Sequence, residues 1–299
     1  APSASYTMDG RAYSASDDNR GDSPENALLT IQRGIDLTTA DVGDCVQLLN
    51  GTHTVTTQVN VNKAGITILG TTQNEFQFPR NAKTSRTTLT TSAVDELLNI
   101  TANRVEIGYM TLRGPSARSI VSFQTTAALD ALYFHDLIFD MTNVTVSLET
   151  RGLDFANRSG GIGAARLSST PGIATAYGER LTFLAAGAQG EAVNISTAHV
   201  HLKDCRVHSQ TGTWASAFIC ATGCANTLLD TVVWTTGGTI TMALAGSFAG
   251  APVAGTLAVT VVNCRFGTAN DIAGFSQVGP TLVSITSYES TSGGTLSVI

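Results

Sequence analysis

At 299 residues, 42% of them hydrophobic and 13% charged, the chain carries enough apolar mass for a large core, which excludes a disordered segment. A formal charge of −6, with Lys and Arg scattered rather than clustered, excludes the cationic surface that nucleic-acid phosphates need. No run approaches about 18 consecutive apolar residues, so no membrane-crossing helix is predicted, and the abundance of Thr, Ser, Ala and Gly points to sheet.

Residues 1–21 read as an N-terminal arm without the charged and apolar regions of an export signal. Residues 22–44 read as a capping helix and its lead-in. In "GDSPENALLTIQRGIDLTTADVGD" Ser23 is placed to cap a helix, Pro24 suits its first turn, and Leu28, Ile31 and Ile35 fall on one face.

Residues 45–299 follow a different rhythm, apolar-x-apolar-x-x-apolar-x-apolar, in which a two-residue alternation skips once. It appears as Val105-Ile107-Met110-Leu112 and recurs as Leu132-Phe134-Leu137-Phe139, Val200-Leu202-Cys205-Val207 and Val259-Val261-Cys264-Phe266. Weaker copies are Ala176-Gly178-Leu181-Phe183, Thr227-Leu229-Val232-Trp234 and Val283-Ile285-Tyr288-Ser290. The third positions fall at 110, 137, 181, 205, 232, 264 and 288; the one long step, of 44, leaves room for an inserted loop, assigned to 156–172. Short apolar stretches at 97–100, 120–123, 192–195, 217–220 and 273–276 precede most copies.

Each repeat thus reads strand, turn, strand, skipped beat, strand. This predicts an all-β fold, a right-handed parallel β-helix over residues 45–299, with strands stacked about 4.8 Å apart from coil to coil. The skipped beat is then a corner. The residue pairs there are Gly108–Tyr109, His135–Asp136, Lys203–Asp204, Asp230–Thr231 and Val262–Asn263; each of the five contains Gly, Asp or Asn, the types that best tolerate a left-handed backbone. Phe123, Phe134, Phe139, Phe183, Trp234 and Phe266 are expected to point inward as core stacks.

The helix, followed by "GDCVQLLNGTHT" and "GITILGT", resembles the opening of pectate-lyase-like right-handed β-helix proteins, whose first coils carry a GD-x-V-x-L-x-x-G-x-Y pattern. His53 stands where an aromatic is usual. The sharp part covers residues 22–70, and the coil periodicity extends the resemblance to about residue 290. It implies the fold and leaves the activity open, because such proteins include polysaccharide lyases, glycoside hydrolases, esterases and non-enzymatic viral spikes and decoration proteins.

Lyase chemistry needs carboxylates around a cation and a basic residue to take a proton, and glycoside hydrolysis needs carboxylates at a set separation. The outward positions of the strands ahead of each repeat offer Asn99, Ser122, Gln124, Asn194 and Gln277, all uncharged. The acidic candidates sit at corners, as Asp136, Asp204 and Asp230. Asp204 and Asp230, on adjacent coils, with Arg206 and His208 near the first in the chain, form the one weak catalytic constellation; the alternative is that these aspartates satisfy local backbone donors.

His199 and His201 alternate as a metal pair would, without a third ligand in view, and Cys220-x-x-x-Cys224 lacks the second pair of a zinc site. Five cysteines, an odd number, argue against a disulfide framework. No cofactor and no metal is expected.

These features favour a structural protein of a virus particle: a bacteriophage head-decoration, tail or spike subunit, working as a homotrimer or docked on a capsid and located in the virion. The closing stretch "TSYESTSGGTLSVI" reads as strand without a capping helix, so its open edge is expected to take a partner chain. The alternatives are a polysaccharide lyase or glycoside hydrolase acting on acidic glycans, or a glycan-binding adhesin, in either case secreted.

Overall fold

The computed structural model describes residues 3–8, 11–71, 87–92, 96–114, 119–123, 129–142, 151–157, 175–185, 188–195, 199–209, 213–221, 227–236, 239–247, 257–266, 270–273, 282–285 and 288–290. Its strands form three parallel sheets and one antiparallel pair. The first sheet runs through nine strands from Cys45–Gln47 to Leu282–Ile285, the second through nine from Gly51–Val55 to Tyr288–Ser290, and the third through eight from Val59–Val61 to Asn270–Ala273. Within the parallel sheets, neighbouring strands lie three places apart along the chain. Each consecutive triplet, one strand per sheet, is a repeat, termed a coil, in an arrangement compatible with a parallel β-helix.

Alternation along each strand decides what is buried. In the first sheet Ile68, Ile107, Phe134, Leu202, Leu229 and Val261 stand in one inward column, each at most 1% exposed. Phe139 and Phe183 stack across two coils of the second sheet with ring centroids 4.8 Å apart and planes 11° from parallel. Burying one such ring stabilises the fold by roughly 2–3 kcal/mol. Phe123 and Phe134 are buried as expected, and the side chains of Trp234 and Phe266 lie outside the described residues. Gly178 interrupts the inward column: a Cβ there would stand 2.8 Å from both Leu181 and Leu202, whose side chains fill the space it leaves.

The skipped beat is a one-residue corner between the first and second sheets. Tyr109, Asp136, Arg180, Asp204, Thr231 and Asn263 all have φ between 50° and 58°. The left-handed member is thus the second of each pair, Tyr109 rather than Gly108 and Thr231 rather than Asp230. Holding a residue with a Cβ in this conformation costs about 1–2 kcal/mol. The strand ladder offsets the cost, because each corner amide still donates to the next coil: Tyr109 N to His135 O (3.3 Å), Asp136 N to Glu179 O (3.1 Å), Arg180 N to Lys203 O (3.0 Å) and Asp204 N to Asp230 O (3.0 Å). A corner of one residue keeps the donors in register, so even Arg and Thr are tolerated there.

The N-terminal region departs from the expected one. Within the predicted arm, Ser3–Met8 and Arg11–Ser16 pair as an antiparallel hairpin. Pro24–Asn26 is a single 3-10 turn, and Ser23 makes no side-chain cap. The α-helix, α1, begins at Ile31 and ends at Leu37, with Thr30 as its cap: its side chain accepts from Arg33 N at 3.2 Å. Asp17 draws the start to this point by accepting from Leu29 N, Thr30 N and Thr30 Oγ1 at 2.9–3.0 Å. Ile31 and Ile35 are buried, as expected, and Leu28 lies ahead of the helix. α1 packs on Cys45–Gln47 and Val59–Val61, the N-terminal strands of the first and third sheets. Gln32 also bonds the free edge of the latter strand, accepting from Asn60 N (2.8 Å) and donating to Asn60 O (3.2 Å).

Candidate functional site

The polar side chains gather on the outward face of the first sheet and its corner. Register places His135, Glu179, Lys203 and Asp230 in one column on four successive coils. The corner residue that follows each of the first three is Asp136, Arg180 and Asp204. Sign alternates both along the column and from column to corner once His135 is protonated, so unlike charges are nearest neighbours in either direction. Opposite charges facing across strands stabilise a sheet and like charges destabilise it, so the alternation favours this register over a slipped one.

Asp136 is the centre of this lattice. Its side chain is 4% exposed; Arg180 grips it through Nε (2.9 Å) and Nη2 (2.8 Å), and His135 Nδ1 lies 3.1 Å away. Arg180 also pairs with Glu179, and the Asp136 carboxylate beside it raises its pKa above the ordinary guanidinium value. Glu179 accepts from Tyr177 Oη at 3.0 Å and from the hydroxyl of Tyr133. Burial pushes Glu179 up, but the two hydroxyls and Arg180 outweigh it, so its carboxyl titrates below the usual range. Burial first and Glu179 second push both tyrosines up to about 12.

On the other side His135 Nε2 lies 2.9 Å from Glu106 Oε1. Burial pulls His135 down, yet the bonds to Asp136 and Glu106 leave its pKa above the ordinary 6.5. Gly108, directly beneath, is required by close approach: a Cβ there would occupy the place of the imidazole. Tyr133 stacks on the ring (4.7 Å, 24°) and Tyr109 meets it edge-on (4.8 Å, 87°). One column over, Tyr133, Tyr177 and His201 follow each other on successive coils, with centroids 5.5 and 4.9 Å apart. His201 Nε2 is buried without a hydrogen-bond partner, and burial holds its pKa below the ordinary value.

The four sequence candidates are divided between two sheets. Asp204 is an exposed corner residue, and Asp230 lies on the adjacent coil, where its Oδ1 accepts from Thr231 Oγ1 at 2.9 Å. Arg206 and His208 stand beyond the corner in the second sheet, on Arg206–Ser209; His208 shares a column with Arg113 and Asp140, which pair at 2.9 Å. His199 is itself a corner residue with φ 59°, so the two histidines do not alternate on one strand.

On the third sheet Asn99 and Ser122 do occupy outward positions, but both are buried, and Ser122 Oγ has no partner. Backbone register places Asp154 between Ser122 and Asn194. Its strand, Arg151–Asn157, escapes the repeat template and overlaps the start of the assigned loop; residues 158–172 of that loop, Gln124, Gln277 and Cys224 lie outside the described residues. Cys205 and Cys264 are buried free thiols, pushed by burial to about 12 and about 11, while Cys45 is free and exposed. Among the described residues no three His, Cys, Asp or Glu side chains meet as metal ligands.

Sequence reasoning passed over Glu106, Tyr133, Tyr177, Glu179 and Arg180. The signal was present: stacking the repeats on their apolar positions puts 135, 179, 203 and 230 in one column, where opposite charges alternate. The corner pairs were read for backbone tolerance and for catalytic carboxylates, not for pairing between coils. No protein-family model matches the chain, and no curated protein does.

Proposed function

We propose that the chain is a right-handed parallel β-helix of the pectate-lyase-like kind, closed at its N-terminal end by α1, that serves as a structural subunit of a virus particle. In this reading it is a bacteriophage head-decoration, tail or spike protein, and it works by assembly, as a trimer or on a capsid, and by surface contact. The observation that carries the reading is the outward charge lattice. Asp136, His135 and Glu179 are engaged with one another and with Arg180 across coils, and the first two are at most 5% exposed. Groups held this way fix the stacking of coils and do not reach a substrate. The contacts of Gln32 and the buried face of α1 support the capping role, since they occupy an edge that would otherwise be free.

Charges paired within the chain suit a part that must persist outside a cell. The test is twofold: sedimentation equilibrium of the purified chain, expected to give three times 31.1 kDa, and detection of the chain in purified particles by specific antibody. A glycan-cleaving activity is the competing outcome. Reducing ends released from an acidic polysaccharide by the wild type, and lost in Asp204→Asn and Asp230→Asn, would overturn the structural reading. The partly buried column of Tyr133, Tyr177 and His201 favours a second reading, a glycan-binding adhesin, for which glycan-array binding without product release, abolished by Tyr177→Ala, is the expected result.

A further inference from the structure

His135 has both ring nitrogens on carboxylates, Nδ1 at 3.1 Å from Asp136 Oδ2 and Nε2 at 2.9 Å from Glu106 Oε1. Ionised carboxylates only accept hydrogen bonds, so both contacts are made only when both nitrogens carry protons. A neutral ring keeps one. We propose that His135 is a pH-operated latch between its own coil and the coil of Glu106: charged, it ties the two together; neutral, it lets Glu106 go while Asp136 stays in place.

The direction of release follows from exposure. The Asp136 side chain is 4% exposed and clamped by two Arg180 bonds, so it has nowhere to move. Glu106 is 38% exposed, and its other hydrogen bond, from Thr67 Oγ1, is long at 3.4 Å. The proton that remains therefore stays on Nδ1, facing Asp136. The Nε2 lone pair then opposes the Glu106 carboxylate, which turns to water.

Several charged and titratable groups face the ring. They are Glu106 and Tyr109 on the preceding coil, Tyr133 and Asp136 on its own, and Glu179 and Arg180 on the following one. The Tyr133 hydroxyl is pushed up to about 12, Arg180 keeps its charge, and the Glu179 carboxyl is held low. The pKa of His135 lies above its ordinary value, so its contribution is complete below about 6.5 and is lost as pH rises through the folded-state pKa.

The joint between the two coils is reported by two amides, Tyr133 N on Val105 O (2.9 Å) and Tyr109 N on His135 O (3.3 Å); the far side is reported by Asp136 N on Glu179 O (3.1 Å). Amide hydrogen exchange of the full chain at pH 6 and pH 9, corrected for intrinsic rates, tests the latch. The protection of the Tyr133 and Tyr109 amides is expected to fall by about tenfold at the higher pH while that of Asp136 holds. Glu106→Gln, whose amide can either donate or accept, is expected to remove the pH dependence, and an NMR titration of the His135 ring assigns it to that group. Equal loss on both sides of the ring, no loss on either, or an unchanged profile in Glu106→Gln would overturn the proposal.

Discussion

The strand Leu132–His135 shows two regions of the molecule back to back. Its inward face contributes Leu132 and Phe134 to an apolar column, and its outward face contributes Tyr133 and His135 to the charge lattice. Inward contacts are numerous and non-directional, so they carry the larger share of stability yet tolerate any apolar side chain of fitting size. Outward contacts are few and directional: the His135 ring has one place, over Gly108 and between two carboxylates. The inner column makes the coils stack; the outer one decides which residues face each other.

If that division holds, the largest loss comes from the inner face. Phe139→Ala removes one of two stacked rings from a fully buried site and is expected to destabilise by about 3–5 kcal/mol, measured by guanidinium unfolding. A loss near 1 kcal/mol would mean that the inward column is not close-packed.

Gly108→Ala comes next and probes the outer face by shape alone. The added methyl takes the place of the His135 ring, which must leave Glu106, Asp136 or both, at an expected cost of about 2 kcal/mol. Adding His135→Ala should recover most of that loss in a double-mutant cycle, since the clash disappears with the ring. Independent, additive effects would sink the idea that this glycine exists to seat the imidazole.

The inner face was legible in the sequence, and the outer face only in part. Apolar residues at 105, 107, 110 and 112 recur because burial penalises a polar substitute, and even the exception, Thr227, is small, so the period survives in most copies. Met110, Leu137, Leu181, Cys205, Val232 and Cys264 are all at most 1% exposed, as their register required. Outward positions carry no such constraint. Glu106, Tyr133, Tyr177 and His201 share a column although only the two tyrosines share a chemical type, and their meaning lies in who stands one coil away. The N-terminus shows the other limit: "DSPEN" carries good local helix-start chemistry, yet Asp17, thirteen residues before Thr30, fixes where the helix begins.

Arg180→Met is the intermediate case. It takes the two guanidinium bonds from buried Asp136, which would be severe in a dry site. Arg180 is 41% exposed, however, and water and salt screen the pair. A loss of about 1 kcal/mol is expected, larger at low ionic strength than at high. A loss independent of salt would assign the role of Arg180 to packing of its stem rather than to its charge.

The smallest effect is expected at Asp204, a sequence candidate for catalysis, and the comparison is sharpest there because backbone and charge can be separated. Its side chain is exposed, its φ is 52°, and its amide donates to Asp230 O at 3.0 Å whatever the side chain. Asn enters the left-handed region as readily as Asp, so Asp204→Asn should change stability by no more than about 0.5 kcal/mol. Val at the same place is β-branched and resists that conformation, so Asp204→Val should cost about 1–2 kcal/mol through the backbone alone. If the Asn variant instead loses as much as the Val variant, the carboxylate between Arg180 and Asp230 is acting as a charge, and the lattice centred on Asp136 extends one coil further than its bonds require.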